Sequence, residues 1–423
     1  ARFDGPAQLP SRVPEITRPA LGFRPPEEMG SNAYAVGSSS SRTGAGLLLG
    51  NPHFPWSGPE RFYQAHLTIP GVYDAAGASL HGVPVVNIGF NGNVAWSHTV
   101  ASSLHFSFYE LTLKPGDPMV YLYDGEERRI EAHPVDVEVL QDDGTLETRS
   151  LTLYTSHFGP IVDLSAISSL VGGWPTIARS AITFRDGNIE NDRLVEQWVR
   201  MGQAQNMDEF EEALALIGIP WVNTIAASRD GQAYYGDVTV VPNVTDEQLA
   251  DCSQTAIARL LTRQGFPSLD GARSACEWGN DEGAPAGIVG YERLPHLRTT
   301  DYVANSNDSF WLSNPRSLLE DYGPFSGDEA YEQSIRTRQT FTQAEERRAG
   351  TDGGGAPGFV LEDLMAYVFD GRSYAADLSM EGILAVCAST ADWSAFTADA
   401  SRPEAACAVL LARDRRFAPS SEG

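Results

Sequence analysis

No uninterrupted apolar run in the chain approaches the roughly 18 residues that a membrane-spanning helix needs, so its 42% of hydrophobic residues are expected to build a globular interior. Positive charge is scarce. Thirty basic residues stand against 56 acidic ones, for a formal net charge of -26, a balance that repels nucleic-acid phosphates and anionic membranes and removes both as expected partners. Cysteine is rarer still: Cys252, Cys276, Cys387 and Cys407 form no C-x-x-C and no Cys/His cluster, so no metal site is expected. They fall into two local couples, Cys252 with Cys276 and Cys387 with Cys407, although sequence alone leaves the other pairings open. Two disulfides favour an exported protein, periplasmic or secreted. The chain opens at Ala1 without a signal-peptide pattern, so either a leader already removed or a longer parent chain is expected.

The familiar catalytic signatures are missing too: no P-loop, no H-E-x-x-H, no EF-hand loop, no dinucleotide fingerprint, and no internal repeat. "GASLH", residues 77–81, comes nearest to the nucleophile elbow G-x-S-x-G, but His81 stands where the strained turn needs glycine. Ser79 therefore reads as an ordinary serine at the end of a strand.

What is present begins with proline. Pro6, Pro10, Pro14, Pro19, Pro25 and Pro26 defeat helices and interior strands alike, so residues 1–30 read as a linker or a surface-hugging segment. Beyond them come short strands separated by Gly, Pro and Asn: "NAYAVG", "GLLLGN", "RFYQAHLTI", "PVVNIGF", "NVAWSHTV" and "HFSFYELTL". "PVDVEVL" and "ETRSLTLYT" pair around Asp143 and Gly144, and a second hairpin turns at Asp230 and Gly231. "NDRLVEQWVRM" reads as a helix. "NMDEFEEALALI" reads as another, with Asn206 and Glu209 spaced as a capping box, and Ala/Leu-rich helices follow the loop at 351–358. Strand clusters followed by helices, without regular alternation, predict an α+β fold of antiparallel sheets covered by helices.

Gly30 and Ser31 raise the chemical question. A serine hydroxyl is a poor nucleophile until a base takes its proton, and a free α-amino group, with a reference pKa of roughly 7.7 to 8.0, is a suitable base near neutrality. Ser31 acquires that base only if the bond after Gly30 is cut. Glycine leaves room for the Ser31 hydroxyl to attack the preceding carbonyl itself.

The flanking motifs give this reading its weight. "GSNAYAVG", "LLLGNPHFPWSGPERFYQAHLTIPG", "GVPVVNIGFNGNVAWSHTV", "GIPWVNT" and "ANSNDSFWLSNP" occur in that order. Together they resemble the penicillin acylase family of N-terminal-nucleophile hydrolases, most of all its aculeacin A acylase and acyl-homoserine-lactone acylase branch. The resemblance implies an αββα sandwich and autoproteolysis of a precursor between Gly30 and Ser31. It implies Ser31 as nucleophile, His53 near its amine, and the Val100 N–H and Asn307 side-chain amide as oxyanion donors. It further implies Phe54, Val83, Trp198 and Trp221 as walls of an acyl pocket, Arg336 as a basic residue at the site mouth, and no cofactor.

The family also has a small subunit before the spacer and a longer large subunit. Residues 31–423 are accordingly expected to be a large-subunit domain incomplete at its C-terminus, with uncovered apolar surface around Phe54 and Trp198. The implied activity is hydrolysis of a linear amide joining a hydrophobic acyl group to an amine-bearing head, as in acyl-homoserine lactones, lipopeptides or penicillins. The rival reading is a non-catalytic extracellular β-rich binding protein of the same fold.

Overall fold

Short apolar runs punctuated by glycine, proline and asparagine fold as strands, and the Ala/Leu-rich segments near the C-terminus fold as helices. The computed structural model describes residues 30–58, 60–164, 174, 180–390, 393, 401–412 and 416. The proline-rich stretch 1–29 lies outside the described residues.

The first strands are β1 (Gly30–Val36), β2 (Leu47–His53), β3 (Phe62–Ile69), β4 (Tyr73–Leu80), β5 (Ile88–Phe90) and β6 (Val94–Val100). There follow β7 (Phe106–Lys114), β8 (Asp117–Tyr123), β9 (Glu126–Arg129), β10 (Glu131–Leu140), β11 (Leu146–Ser156), β12 (Gly159–Val162) and β13 (Ser180–Asp186). Helices α1 (Leu194–Gln203) and α2 (Met207–Leu214) precede β14 (Val222–Ser228) and β15 (Ala233–Gly236). Then come α3 (Asp246–Cys252), α4 (Ala256–Arg263), β16 (Ser268–Asp270), β17 (His296–Thr299) and β18 (Tyr302–Asn305). The helices α5 (Ile335–Ala349), α6 (Leu361–Phe369), α7 (Tyr374–Ser389) and α8 (Ser401–Ala412) follow.

Among the described residues three sheets result, ordered β18-β1-β2, β17-β15-β14-β6-β5-β4-β3, and β10-β11-β12-β13-β7-β8-β9 with β16 against β7. Only the β16–β7 pairing is parallel among the described strands. Alternation along β1 buries both of its faces. Ala33 and Ala35 pack with Ile225 and Ala227 of β14 and Tyr235 of β15, whereas Tyr34 and Val36 pack with Phe341 and Ala344 of α5 and Leu364 of α6. The small sheet thus lies with one face on the seven-stranded sheet and the other under helices, while α1 packs against β4. Ser31 shares the period-2 face of Ala33 and Ala35, toward the larger sheet. β2 approaches β6 so closely that a Cβ at Gly50 would stand 2.5 Å from Ser97 Oγ, which requires glycine there.

The expected strand over 84–90 is realised only as β5. Upstream of it, Asn87 N still donates to Ala78 O, but Leu80 N donates to the Asn87 side chain, the Ser79 hydroxyl donates to the Val85 carbonyl and the Trp96 indole donates to Asn87 O, so side chains take over where the ladder stops. Ser79 itself is the penultimate residue of β4, with its hydroxyl tied to backbone. Both expected disulfides are present, Cys252 to Cys276 and Cys387 to Cys407. No helix among the described residues is long and apolar enough to cross a membrane.

Candidate active site

The site grows from the start of β1. Pairing with β2 sets Gly30 opposite His53 and Ser31 opposite Pro52, and pairing with β18 brings the residues after Asn305 alongside. Ser31 is only 1% exposed. Its hydroxyl donates to Gly30 O at 2.5 Å across an intact peptide bond, and its backbone N–H donates to Asn307 Oδ1 at 2.6 Å. A Cβ on Gly30 would stand 3.2 Å from His53 Nδ1, 3.4 Å from Asn307 Oδ1 and 3.5 Å from Arg336 Nη2, so residue 30 sits in the middle of the cluster.

Asn307 occupies the left-handed region, with φ of 71°, a conformation that asparagine tolerates better than most residues. Its amide orientation is set by chemistry. Oδ1 takes two groups that can only donate, Ser31 N–H and Arg336 Nη2 at 2.8 Å, while Nδ2 donates to the Val100 carbonyl at 3.0 Å. Nδ2 carries a second hydrogen. Val100, at the end of β6, faces the same way: the next pair on the ladder is closed by Ala101 N–H to Trp221 O, so Val100 and Val222 form a non-hydrogen-bonded pair. The N–H and C=O of Val100 therefore both point away from β14, the C=O toward Asn307.

Arg336 lies in the first turn of α5, where a cation opposes the helix dipole. Acceptors hold it there. Nη1 donates to Ser31 O at 2.6 Å and Asn32 Oδ1 at 2.8 Å, and Asp308 supports the charge that burial disfavours. These bonds hold the half-buried guanidinium directly beside Ser31 and Asn307. His53 is open to solvent on one side; its partial burial and the Arg336 charge hold its pKa below the usual imidazole value, which favours the neutral ring.

The expected pocket residues are more dispersed. Phe54 follows His53 and packs on Phe62, with rings 5.2 Å apart, and its neighbour Trp56 is 99% exposed. The Val83 carbonyl accepts the Tyr63 hydroxyl. Trp221, 53% exposed and at φ 65°, stands edge-on to His105. The expectation of open surface at Trp198 is corrected: this ring is 6% exposed, covered within the core of α1, and its indole donates to His98 Nε2 at 3.1 Å. Because Trp can only donate, His98 carries its proton on Nδ1, toward Asn223 O.

Sequence reasoning assigned no role to Thr99, Asn223, Asn305 or Tyr235. All four are buried polar side chains behind Val100 and Asn307. Their signal was available, since Thr99, Asn223 and Asn305 stand inside the very motifs "WSHTV", "GIPWVNT" and "ANSND".

Comparison with known proteins gives the family of the chain. The penicillin amidase family matches residues 4–423, and the chain belongs to that family. Among its relatives is the acyl-homoserine lactone acylase PvdQ of Pseudomonas syringae pv. tomato, 42% identical over 395 residues, which cover 92% of this chain and 48% of the relative. Another is the aculeacin-A acylase of Actinoplanes utahensis, 38% identical over 421 residues, 99% of this chain and 52% of the relative. The chain spans about half the length of these curated relatives. Among solved structures, a thermostable penicillin G acylase from Alcaligenes faecalis superposes with a TM-score of 0.62 at 18% identity, covering 91% of this chain and 59% of that one. That likeness is one of fold.

Proposed function

We propose that the protein is a self-processing amidohydrolase that cleaves a linear amide between a hydrophobic acyl chain and an amine-bearing head group. The observation that carries this is the Ser31 hydroxyl resting on the carbonyl of Gly30 while its own nitrogen is held by Asn307. In maturation, Ser31 Oγ attacks the Gly30 carbonyl carbon, the C–N bond breaks as the nitrogen takes a proton, and water hydrolyses the resulting ester. Gly30 leaves as a carboxylate and Ser31 gains a free α-amine.

In turnover, that amine accepts the hydroxyl proton, directly or through one water, as Oγ attacks the substrate carbonyl. The oxyanion meets the Val100 N–H and the second hydrogen of Asn307 Nδ2, donors from two different sheets. The amine leaving group departs with the proton, and water releases the acid. Neutral His53 and cationic Arg336 flank the α-amine and favour its unprotonated form. Phe54, Val83, Trp198 and Trp221 are assigned to the acyl side. The names of the relatives, acyl-homoserine lactone acylase and aculeacin-A acylase, support removal of an acyl group.

The finer architecture belongs to the same reading: an αββα sandwich, with α5 and α6 over the small sheet and α1 under the larger one. So do residues 1–30 as a spacer, residues 31–423 as large-subunit domain, a small-subunit partner from the same precursor, and a periplasmic or secreted location, which the two disulfides favour. The test is mass spectrometry with an activity assay on the full protein. A fragment beginning at Ser31, and amine release from a fatty-acyl amide, are expected of the wild type, and neither of Ser31→Ala. Release of amine by the alanine variant would overturn the assignment. An uncleaved, inactive wild type would instead favour the binding-protein reading.

A further inference from the structure

The two proposed oxyanion donors come from different sheets, Val100 from β6 and Asn307 from the end of β18, and something must hold them in register. One atom touches both sides. Asn305 Oδ1 accepts the backbone N–H of Asn307 at 2.8 Å and the hydroxyl of Thr99, the residue before Val100, at 2.6 Å. Its Nδ2 donates to Asp308 O at 2.9 Å, so the asparagine brackets Asn307 on both flanks. The chain of bonds runs on. Asn223 Nδ2 donates to Thr99 Oγ1 at 3.0 Å, and Asn223 Oδ1 accepts the Tyr235 hydroxyl at 2.7 Å. Exposure is 0% at Thr99, 1% at Asn223, 2% at Asn305 and 0% at Tyr235.

We propose that Asn305, Thr99, Asn223 and Tyr235 form a buried positioning network that sets the distance and direction between the two oxyanion donors. The inference rests on the acylase reading of the site. Its physical basis is that the Val100 N–H belongs to the peptide unit begun by Thr99, so fixing the Thr99 side chain against Asn305 fixes that donor's direction. The same Asn305 oxygen holds Asn307 at its left-handed φ, and so aims the second donor. None of the four residues needs to touch substrate. Their effect is expected on the chemical step, because a donor aimed at a developing oxyanion matters more in the transition state than in the ground state.

The test uses the full protein, three single variants and one double variant. Thr99→Val keeps shape and removes the hydroxyl, Thr99→Ser keeps the hydroxyl, and Tyr235→Phe removes only the far end of the chain. Turnover is measured on a fatty-acyl amide per titrated serine. Expected for Thr99→Val is a fall in kcat of about tenfold to hundredfold, the scale of a small misplacement of a reacting group, with KM within about twofold. Thr99→Ser recovers most of the loss, Tyr235→Phe loses a few-fold, and the Thr99→Val/Tyr235→Phe pair is less than additive.

Hydrogen exchange over residues 305–309 supplies a readout independent of activity, and it is expected to quicken in Thr99→Val and Tyr235→Phe. Wild-type kcat in both of these variants, equal impairment of Thr99→Ser and Thr99→Val, or unchanged exchange would overturn the network. A wild type inactive on acyl amides, yet with exchange that responds to the variants, would instead remove the acylase reading and leave the coupling standing.

Discussion

At the scale of the residue, the decisive arrangement is a cation beside a prospective amine. Arg336 Nη1 lies 2.6 Å from the Ser31 carbonyl oxygen, so its charge is only a few bonds from the nitrogen that maturation would free. A nearby positive charge disfavours a protonated amine and lowers its pKa. Arg336→Gln is therefore expected to move the acidic limb of the kcat/KM profile upward by about one unit, because the amine would then need a higher pH to lose its proton. A pH profile of the matured variant checks this, and an unmoved limb would show that Arg336 acts through shape alone. Ser31, His53 and Asn307 could be singled out in the sequence because each stands in a motif of the family resemblance, and the fold sets all three around Gly30. Thr99 and Asn305 stand in the same motifs, but the motifs do not show their pairing, which is one hydrogen bond between residues 206 apart in the chain.

At the scale of the element, α5 carries the arginine. Its N-cap is Ser334, whose side chain accepts from Thr337 N, and the buried face below presents Thr337, Thr340, Gln343 and Arg347 beside Phe341 and Ala344. That polar face explains why hydrophobic periodicity gave no sign of the helix. By contrast, α2 was legible from Asn206, whose side chain does accept from Glu209 N, and β10–β11 from the turn holding Asp143 and Gly144. Ser334→Ala is expected to lower stability by about 1 kcal/mol, the usual effect of losing a cap. Because Arg336 sits two residues on, it should also lower kcat. Thermal melting and turnover measured together check this, and a change in melting alone would separate the cap from the site.

At the scale of the whole molecule, buried titratable groups pull stability in opposite directions with pH. Burial lowers His98 and His105 to about 4, so the stability tied to their neutral rings is complete above the unfolded value of 6.5 and is lost as pH falls toward 4. Asp237 behaves inversely. Burial raises it from 3.8 to about 7, with Ser103 and Thr239 as its hydrogen-bond partners, so its contribution is complete below 3.8 and is lost as pH rises through 7. Asp237→Asn is expected to raise the melting temperature by an amount that grows from pH 4 to pH 7 and then levels off, corresponding to about 4 kcal/mol at most. Melting curves at pH 4, 7 and 9 check this, and a gain independent of pH would exclude charge as its source. The proposed oxyanion donors, Val100 and Asn307, belong to two different sheets. The bond before Ser31 is expected to break only in molecules whose sheets have already docked, so a new N-terminus would certify correct assembly, and misfolded copies would remain marked by their uncut chain.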